Sequence, residues 1–363
     1  MAANLGERLQ SVRKRRGLTQ KELAKVSGVS VSLIRKIEQG DIVSTRLETL
    51  RKLAIGLRIR TTALRVNRDT PDADRATVDL WTPVRRALTG QDGPVAMQEA
   101  ATLEGVQAAC DALQPLTEGH HYREIAAILP QLLRDAESLT GSQGRAIRSR
   151  VLNLTGWALT MNNQFDAAAM TLDRAIDASV DRGNAAIAVT NLVWANLRQG
   201  RLAEAQELAV RWADDIEPRF SHATAAQLAL WGRLWLYMAN ATVRDNAPGA
   251  TEDALSLARA AAERLGCEFR YDRDLNSTFG PFTVAQIMAE CAVITEQPGK
   301  VLSIAETMPN DLISPIAAGR LRHRLDVANA YTQLQQYGEA TRVIQEVRAT
   351  APEWIAQQRY ARC

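Results

Sequence analysis

Four side chains between positions 31 and 36 have the types and the spacing needed to bind a nucleic acid. Val31 and Arg35 lie four residues apart, as do Ser32 and Lys36, and residues four apart are neighbours on a helix surface. An outward face of this composition can meet base edges and phosphates. The opposite side of the same helix is apolar and carries Leu33, Ile34 and Ile37. The pattern therefore predicts an amphipathic helix that presents a polar, basic face.

Capping and turn residues predict where this helix and the one before it begin and end. Thr19 and Glu22 have the spacing of a capping box at the start of the first helix. Gly28 suits the positive φ angle that often ends a helix, and Ser30 can cap the next one. Gly40 then stops the second helix. The sequence therefore predicts two short helices around a tight turn, the second of which is prepared to enter a DNA groove.

Charge is distributed unevenly along the 363 residues of the chain. Residues 1–70 contain 16 Lys and Arg against 6 Asp and Glu, a net charge of +10, whereas the remainder contains 28 against 35, a net charge of −7. The overall net charge of +3 is therefore the sum of a basic N-terminal part and an acidic remainder. A basic part is what counterion release at DNA phosphates requires. Together with the two-helix pattern, it predicts DNA binding.

Residues 4–66 resemble the helix-turn-helix domain of phage repressors and of the xenobiotic-response-element (XRE) family of regulators. The positions that carry the resemblance are Gly17, Leu18, Thr19, Gln20, Glu22, Leu23, Ala24, Gly28, Val29, Ser30, Ile34, Ile37, Glu38, Gln39, Gly40, Leu47, Leu50, Leu53 and Ala54. The resemblance implies a five-helix domain, here called the head (residues 1–66), with an ion pair between Arg13 and Glu38. The DNA-binding residues that it implies are Gln20, Ser30, Val31, Ser32, Arg35 and Lys36.

Composition and motif spacing argue against several classes of protein. No apolar run approaches the roughly 20 residues that cross a bilayer, and the N-terminus passes into an amphipathic helix without a signal peptide. The four cysteines are scattered, so we expect a cytoplasmic protein without disulfides. His120 and His121 lack the spacing of a metal site, and no Ser–His–Asp arrangement or phosphate-binding loop is visible. We therefore expect no catalytic residues, no metal and no cofactor.

The rest of the chain shows helical periodicity in a recurring layout. Residues 67–74 are polar and contain a proline, which predicts a linker between the head and what we call the body, residues 75–363. In the body, a helix with a small residue at its middle is followed by a short turn and a second, Ala-containing helix. The first two clear copies have turns at Asn163 and Gly200, and three more follow. Residues 95–140 hold one or two degenerate copies.

This layout resembles the tetratricopeptide repeat (TPR), in which small residues at fixed positions let paired helices approach closely. The segment Ser277–Val284 is also similar to a motif of actinobacterial XRE regulators with TPR bodies, and we expect it to lead into the fourth pair. The resemblance implies an all-α protein, in which the five-helix head is followed by a TPR-like right-handed α-solenoid. Such a solenoid has an inner groove lined by the first helix of each pair.

The inner groove is the expected ligand site. Registering the copies against each other places in it Asn153, Trp157, Thr160, Thr190, Trp194, Arg198, Arg233, Tyr237, Gln286, Glu290, Asn329 and Gln333. Trp157 and Trp194 share a repeat position, so we expect them on adjacent inner rungs, with Arg198 and Arg233 close by. Aromatic rings and guanidinium groups suit an extended peptide or a small amphipathic molecule with a carboxylate. Packing alone would explain the two Trp side chains equally well.

Two functions remain open at this level. The first is a sequence-specific DNA-binding transcriptional regulator whose groove senses a small molecule or peptide, and which binds a near-palindromic operator as a homodimer. The second is an adaptor whose body binds a partner protein while the head tethers it to double-stranded DNA. A small molecule or peptide that co-purifies with the protein would favour the first. We expect no membrane partner, and an enzyme would need motifs that this sequence lacks.

Overall fold

The computed structural model describes residues 5–42, 45–64, 79–90, 100–270, 278–308 and 317–356, together with Gln358. Nearly all of this part of the chain is α-helical, as the sequence predicts, with a helix-turn-helix at the N-terminus followed by repeated helices. The predicted linker at residues 67–74 lies outside the described residues. Within the described ranges, no helix is long and apolar enough to cross a membrane.

The head contains five helical elements around one apolar core. They are α1 (Leu5–Arg15), α2 (Gln20–Ser27), α3 (Val31–Gln39), α4 (Leu47–Leu57) and a 3-10 helix (Thr61–Leu64). Each element contributes at least one fully buried side chain, namely Leu9, Leu23, Ile34, Ile37, Leu53 and Leu64. The fifth helix that the resemblance implies is thus a single short 3-10 helix.

Local caps define the two central helices of the head. The Thr19 hydroxyl accepts a hydrogen bond from the Glu22 backbone N–H at 3.2 Å, and the Glu22 carboxylate accepts one from the Thr19 N–H at 2.7 Å. Gly28 ends α2 with a φ angle of 67°, a conformation that glycine adopts without steric cost. Ser30 caps α3 by accepting a bond from the backbone N–H three residues later. These findings confirm the predicted helix boundaries.

The body is built from helices that follow one another in pairs. Its elements are α5 (Thr82–Thr89), α6 (Leu103–Ala112), α7 (Gln114–Glu118), α8 (Tyr122–Ser138), α9 (Gly141–Met161), α10 (Phe165–Ala178), α11 (Arg182–Gln199), α12 (Leu202–Asp215), α13 (Ala225–Arg244), α14 (Pro248–Leu265), α15 (Pro281–Ile294), α16 (Pro298–Thr307), α17 (Ala318–Gln333), α18 (Tyr337–Thr350) and α19 (Pro352–Ala356). The sequence analysis missed α5, which buries Trp81, Val84 and Leu88 in the same apolar cluster as α8.

Six turns of the body share one backbone geometry. In each, a residue with a positive φ angle between 57° and 68° stands two positions before the second helix of a pair. We call these the turn residues: His120, Asn163, Gly200, Asn246, Glu296 and Gln335. The residue after each turn residue donates its N–H to a carbonyl five positions back, as Gln164 does to Leu159 at 2.9 Å. The shared geometry establishes the helical repeat and shows that the degenerate region supplies a pair of its own, α7 and α8.

Two very short strands interrupt the helical pattern between α14 and α15. They are β1 (Phe269–Arg270) and β2 (Thr278–Phe279), and they pair antiparallel. Phe279 is fully buried and lies over Gly232 of α13, where an added Cβ would stand 2.1 Å from the ring. The segment that we expected to lead into the fourth pair thus supplies a strand and the first turn of α15. Of its described residues, Phe279 packs against α13, and the hydroxyl of Thr283 donates to the carboxylate of Glu268.

The two ends of the body are in contact. Trp354 of α19 is fully buried, and its ring centroid lies 6.2 Å from that of His120, the turn residue before α8. Arg270 forms an ion pair with Glu118 of α7. Leu321 of α17 belongs to the same apolar cluster as the residues of α8. The last helices therefore return to the first pair, and the first helices of the pairs face a shared interior.

Candidate nucleic-acid interface and inner groove

The outward face of α3 carries the side chains that we expect to bind DNA. Ile34 and Ile37 are fully buried in the head core. Ser32, Arg35 and Lys36 are exposed, and Val31 at the start of the helix is half-buried. The geometry thus separates an apolar side from a polar, basic side, as the four-residue spacing predicts.

An ion pair holds α3 against α1. Arg13 donates from Nε and Nη2 to the two carboxylate oxygens of Glu38 at 2.6 and 2.7 Å, and it donates from Nη1 to the carbonyl of Leu18 at 2.7 Å. The helices also approach closely at Gly6, where a Cβ would stand 2.3 Å from the carbonyl oxygen of Ile37. The predicted Arg13–Glu38 pair is therefore confirmed, and it fixes the orientation of α3 relative to α1 within the head.

Two residues of the predicted DNA-binding set also have structural partners. Gln20 donates from Nε2 to Glu38 at 2.8 Å, and the exposed Ser30 caps α3. Burial opposes the ionisation of Glu38, but hydrogen bonds from Arg13 and Gln20 outweigh it and lower the pKa of Glu38 below its ordinary value. Gln20 therefore belongs to the network that orients α3.

Counting back from the turn residues aligns the first helices of the pairs. Six positions before each turn, from α9 to α17, stand Trp157, Trp194, Asn240, Glu290 and Asn329. This row confirms that the two Trp side chains share a repeat position. Two positions before the turn, Arg198 of α11 corresponds to Arg244 of α13. Arg233 therefore does not share the repeat position of Arg198, because α13 continues to Arg244 before its turn.

Arg198 lies against two aromatic rings near the end of α11, at a place where we expect the inner groove. The Arg198 guanidinium carbon lies 5.3 Å from the centroid of the Trp194 ring and 6.0 Å from that of Phe165. Its Nη2 donates to the side-chain oxygen of Asn163 at 3.1 Å. Trp157 and Trp194 are half-buried, so each ring keeps an accessible portion. The arrangement can hold a planar or apolar group beside a positive charge.

Other residues that we expected in the groove are engaged in packing. Asn153 accepts a hydrogen bond from Asn191 at 2.9 Å, and the hydroxyl of Thr190 donates to the carbonyl of Ile187 at 2.7 Å. Both Asn153 and Thr190 are buried. The guanidinium of Arg233, also buried, donates to the carbonyl of Thr278 in β2. The geometry therefore gives Arg233 a role in holding the strand pair and does not support its expected place beside Arg198.

Further expected residues occupy α13, α15 and α17. Tyr237 is half-buried against the apolar cluster of α13. Gln286 is buried, and its side-chain oxygen would stand 2.7 Å from a Cβ on Gly319, so it marks a close approach of α15 and α17. Asn329 is half-buried and accepts a hydrogen bond from Gln333 at 3.4 Å.

A charged centre is formed by residues of α13, α15 and α17, of which we expected only Glu290 in the groove. Glu290 is buried and pairs with Arg244, and Asn240 donates to its other oxygen at 3.5 Å. Two residues of α17 interact electrostatically with Glu290: the charge of Arg322 lowers the pKa of Glu290, and the charge of Glu290 raises the pKa of Asp326. The common repeat position of Arg198 and Arg244 was the sequence signal that could have identified this centre. The first helices thus carry an aromatic cluster at Arg198 and an ion pair at Arg244.

Burial and charge set opposite pKa shifts at this centre. Burial opposes ionisation of Glu290, but the charges of Arg244 and Arg322 lower its pKa. Burial, reinforced by the charge of Glu290, raises the pKa of Asp326 well above its ordinary value of 3.8. No group of three or more His, Cys, Asp or Glu residues that could hold a metal occurs in the part of the chain that the structure describes.

Comparisons with known proteins place the head in a family. Residues 9–64 match the Helix-turn-helix family, whereas no curated protein matches the chain. The chain is similar to Bacillus thuringiensis PlcR in complex with the peptide PapR7 and DNA, with 13% identity over 94% of this chain and 99% of that one and a TM-score of 0.40. It is also similar to ComR of S. thermophilus in complex with DNA and its signalling peptide ComS, with 9% identity over 95% and 99% of the chains and a TM-score of 0.27. The family match and the observed geometry agree that residues 9–64 are a helix-turn-helix domain.

Proposed function

We propose that this protein is a sequence-specific DNA-binding transcriptional regulator whose inner groove senses a small molecule or a peptide. The observation that carries the DNA-binding part is the outward face of α3, with Ser32, Arg35 and Lys36 exposed above a helix whose other side is buried. The net charge of +10 in residues 1–70 supports it, because cationic residues gain affinity by releasing counterions from DNA.

The groove supports the sensing part of the proposal. Trp157 and Trp194 occupy one repeat position and are half-buried, and Arg198 lies beside the second ring. An aromatic face and a guanidinium group can bind a planar or apolar group next to an acidic one. Together they favour a carboxylate-bearing effector or the C-terminal part of a peptide. Binding is all that this role requires, so we assign no catalytic step and no cofactor.

The proposal extends to assembly and location. A two-fold homodimer would present two α3 helices to successive major grooves, which calls for a near-palindromic operator. A protein with this target acts in the cytoplasm, where the chromosome of a bacterium lies. We further propose domain boundaries at residues 1–66 for the head and 75–363 for a TPR-like body, joined by residues 67–74.

The DNA-binding part is tested with Arg35→Ala and a matched control. The operator is first selected by the full chain from a random duplex library. Arg35→Ala should then weaken operator binding by about 1–3 kcal/mol and blur preference at one base pair. Arg211→Ala removes the same charge from an exposed position on α12 and should leave binding unchanged. Equal losses for operator and random DNA with Arg35→Ala would contradict the assignment.

The sensing part is tested by native mass spectrometry and tryptophan fluorescence of the full chain. A small molecule or peptide that stays bound through purification is the expected result, whereas a bound protein would favour the adaptor. Trp194→Phe should remove most of the fluorescence response to the released ligand. Trp212→Phe is the control, because Trp212 of α12 also lies beside an Arg, with the Arg182 guanidinium carbon 5.2 Å from its ring centroid, but outside the groove. An equal response of both variants would contradict the groove site.

A further inference from the structure

The head and the body touch at the C-terminal end of α13. Arg51 of α4 donates from Nε to the carbonyl of Val243 at 3.2 Å. The hydroxyl of Thr61 donates to the carbonyl of Arg244 at 2.7 Å. Because the last carbonyls of a helix have no partner within it, the Thr61 hydroxyl satisfies the Arg244 carbonyl, and Arg51 adds a side-chain donor to the Val243 carbonyl, which also accepts the Asn246 N–H at 3.4 Å. Arg51 adds a positive charge at the negative end of the helix dipole.

Asp245 completes the junction from the body side. It is 1% exposed, and its carboxylate accepts hydrogen bonds from the Thr62 N–H at 2.9 Å and from Gln206 at 3.3 Å. Its backbone carbonyl accepts a bond from the Thr61 N–H at 3.3 Å. Arg60 lies 3.7 Å from the carboxylate. A buried carboxylate whose partners come from both the head and the body fixes the position of one against the other.

The docked surface of the head differs from its DNA-binding surface. Docking uses Arg51, which is buried, and the 3-10 helix that contains Thr61. On α3, Arg35 and Lys36 remain exposed. The contact therefore leaves the outward face of α3 uncovered and determines the direction in which it points from the body.

Arg244 joins this junction to the inner groove. Its backbone carbonyl accepts the hydroxyl of Thr61, while its guanidinium pairs with Glu290. The same guanidinium donates to the carbonyl and the side-chain oxygen of Asn240 at 2.9 and 3.1 Å. A change in the partners of this side chain acts on a residue whose main chain holds the head.

We propose that the α13–α14 turn, Arg244–Asn246, is the docking surface of the head, and that Arg244 transmits the state of the groove to the orientation of α3. The transmission to DNA rests on the proposed function, whereas the docking does not. An effector that changes the partners of Arg244 would favour one orientation of the heads and thus one spacing of half-sites, since a ligand shifts an equilibrium only through differential affinity.

Hydrogen–deuterium exchange of the full chain tests the docking. The N–H groups of Thr61 and Thr62 are both bonded to Asp245. Asp245→Ala should make residues 58–64 exchange roughly tenfold faster, since it strands buried donors. Thr61→Val, which keeps the shape of the side chain, should raise the exchange rate in the same segment. It replaces Asp245→Ala as the test if that variant does not fold. Unchanged exchange in the folded variants would overturn the docking surface.

Transmission is tested by variants that remove the ion pair of the groove. Arg244→Met and Glu290→Gln keep the backbone of the turn, and both should speed exchange in residues 58–64; Glu290→Gln does so without changing the charge of Arg244, which acts on Arg51 of the head. Glu296→Gln is the control for head–body charge, because the exposed Glu296 pairs with Lys52 at 3.5 Å and acts on Arg51 without taking part in the Arg244–Glu290 pair, and it should change exchange less than the groove variants. Wild-type exchange in both groove variants would overturn transmission.

DNA binding separates this inference from the proposed function. With the selected operator, Arg244→Met should change the preferred spacing between half-sites. The affinity of this variant for a single half-site should equal that of the wild type. If the wild type binds no operator, the proposed function fails, and the exchange experiments still decide the docking. If the operator is bound and the spacing preference of Arg244→Met equals that of the wild type, the transmission to DNA is overturned.

Discussion

The head and the body each contain an Arg–Glu pair with an amide side chain beside it, yet the two pairs are built differently. In the head, Glu38 receives two short bonds from Arg13 and one from Gln20. In the body, Arg244 divides its donors between Glu290 and Asn240. The head pair joins residues 25 positions apart, and the body pair joins residues 46 positions apart on different helical pairs.

This difference teaches where each region is rigid. Arg13 gives Glu38 two donors, one to each carboxylate oxygen, so the pair locks α3 to α1. Arg244 gives Glu290 one hydrogen bond and Asn240 two, so it can lose Glu290 and keep other partners. A locked pair suits a domain that must present one fixed face, and a shared pair suits a groove that must respond to a ligand.

The largest expected effect comes from breaking the head pair. Glu38→Ala should lower the free energy of unfolding of the head by about 3 kcal/mol, because Arg13 is left as a buried charge without its carboxylate. Hydrogen exchange at α1 and α3 in a urea series measures this. Glu339→Ala, which removes an exposed partner of Arg342, is the control and should cost less than about 1 kcal/mol.

The effect of Glu38→Ala should also depend on pH. The pKa of Glu38 is lowered from 4.5, so the stabilisation is fully present above that pH and is lost as the pH falls through the lower folded-state value. The difference between wild type and variant should therefore shrink below about pH 4. A difference that stays constant under acid conditions would show that the charge of Glu38 is not its cause.

Breaking the body pair should have a smaller effect. Glu290→Ala should lower the free energy of unfolding of α13 and α15 by about 2 kcal/mol, because Arg244 retains Asn240 as a partner. The same exchange experiment measures both regions. A loss equal to or above that of Glu38→Ala would break the contrast between a locked and a shared pair.

Asp326→Asn should show how the burial of Asp326 beside the charge of Glu290 in the body pair makes the free energy of unfolding depend on pH. Burial, reinforced by the charge of Glu290, raises the pKa of Asp326, so the folded body holds a proton that the unfolded chain releases. The free energy of unfolding then falls as the pH rises from 3.8 towards the raised value. Asn cannot ionise, so the variant should be more stable than the wild type at alkaline pH, and the difference should disappear as the pH falls towards 3.8. Identical pH profiles of urea unfolding would contradict the shift.

The smallest expected effects distinguish the two amides. Gln20→Ala removes a 2.8 Å bond to Glu38 and should cost about 1 kcal/mol. Asn240→Ala removes a 3.5 Å contact to Glu290, which is at the limit of a hydrogen bond, and a 3.1 Å bond from Arg244. Because the same Arg244 nitrogen also donates to the Asn240 carbonyl, which the variant keeps, the change should cost about half as much. Parallel urea titrations compare them, and the reverse order would mean that Asn240 matters mainly through its bonds to Arg244.

Local signals made the head predictable. The capping box of Thr19 and Glu22, the left-handed Gly28 and the cap of Ser30 each act within a few residues, so both partners of each contact lie close together in the sequence. The Arg13–Glu38 pair followed from the resemblance to a known domain. In the body, the common position of Trp157 and Trp194 was predictable because a regular turn follows each helix.

The register of α13 was not predictable in the same way. Pro248 and the glycine after it resemble a loop, but Pro248 is the first residue of α14, a position where proline needs no N–H partner. The turn of this pair is at Asn246, so Arg244 and not Arg233 corresponds to Arg198. Whether such a proline lies in a loop or starts a helix depends on the neighbouring helices against which it packs.

The sequence by itself determined the helix-turn-helix, the basic face of α3 and the repetition of helical pairs, because caps, turns and periodicity act over short distances. Only the tertiary structure decided which distant groups meet. Thr62 and Asp245 are 183 positions apart, and their contact depends on the accumulated rotation of all the pairs that precede α13. That rotation is set by side-chain packing between helices, and it brings the C-terminal end of α13 to the head.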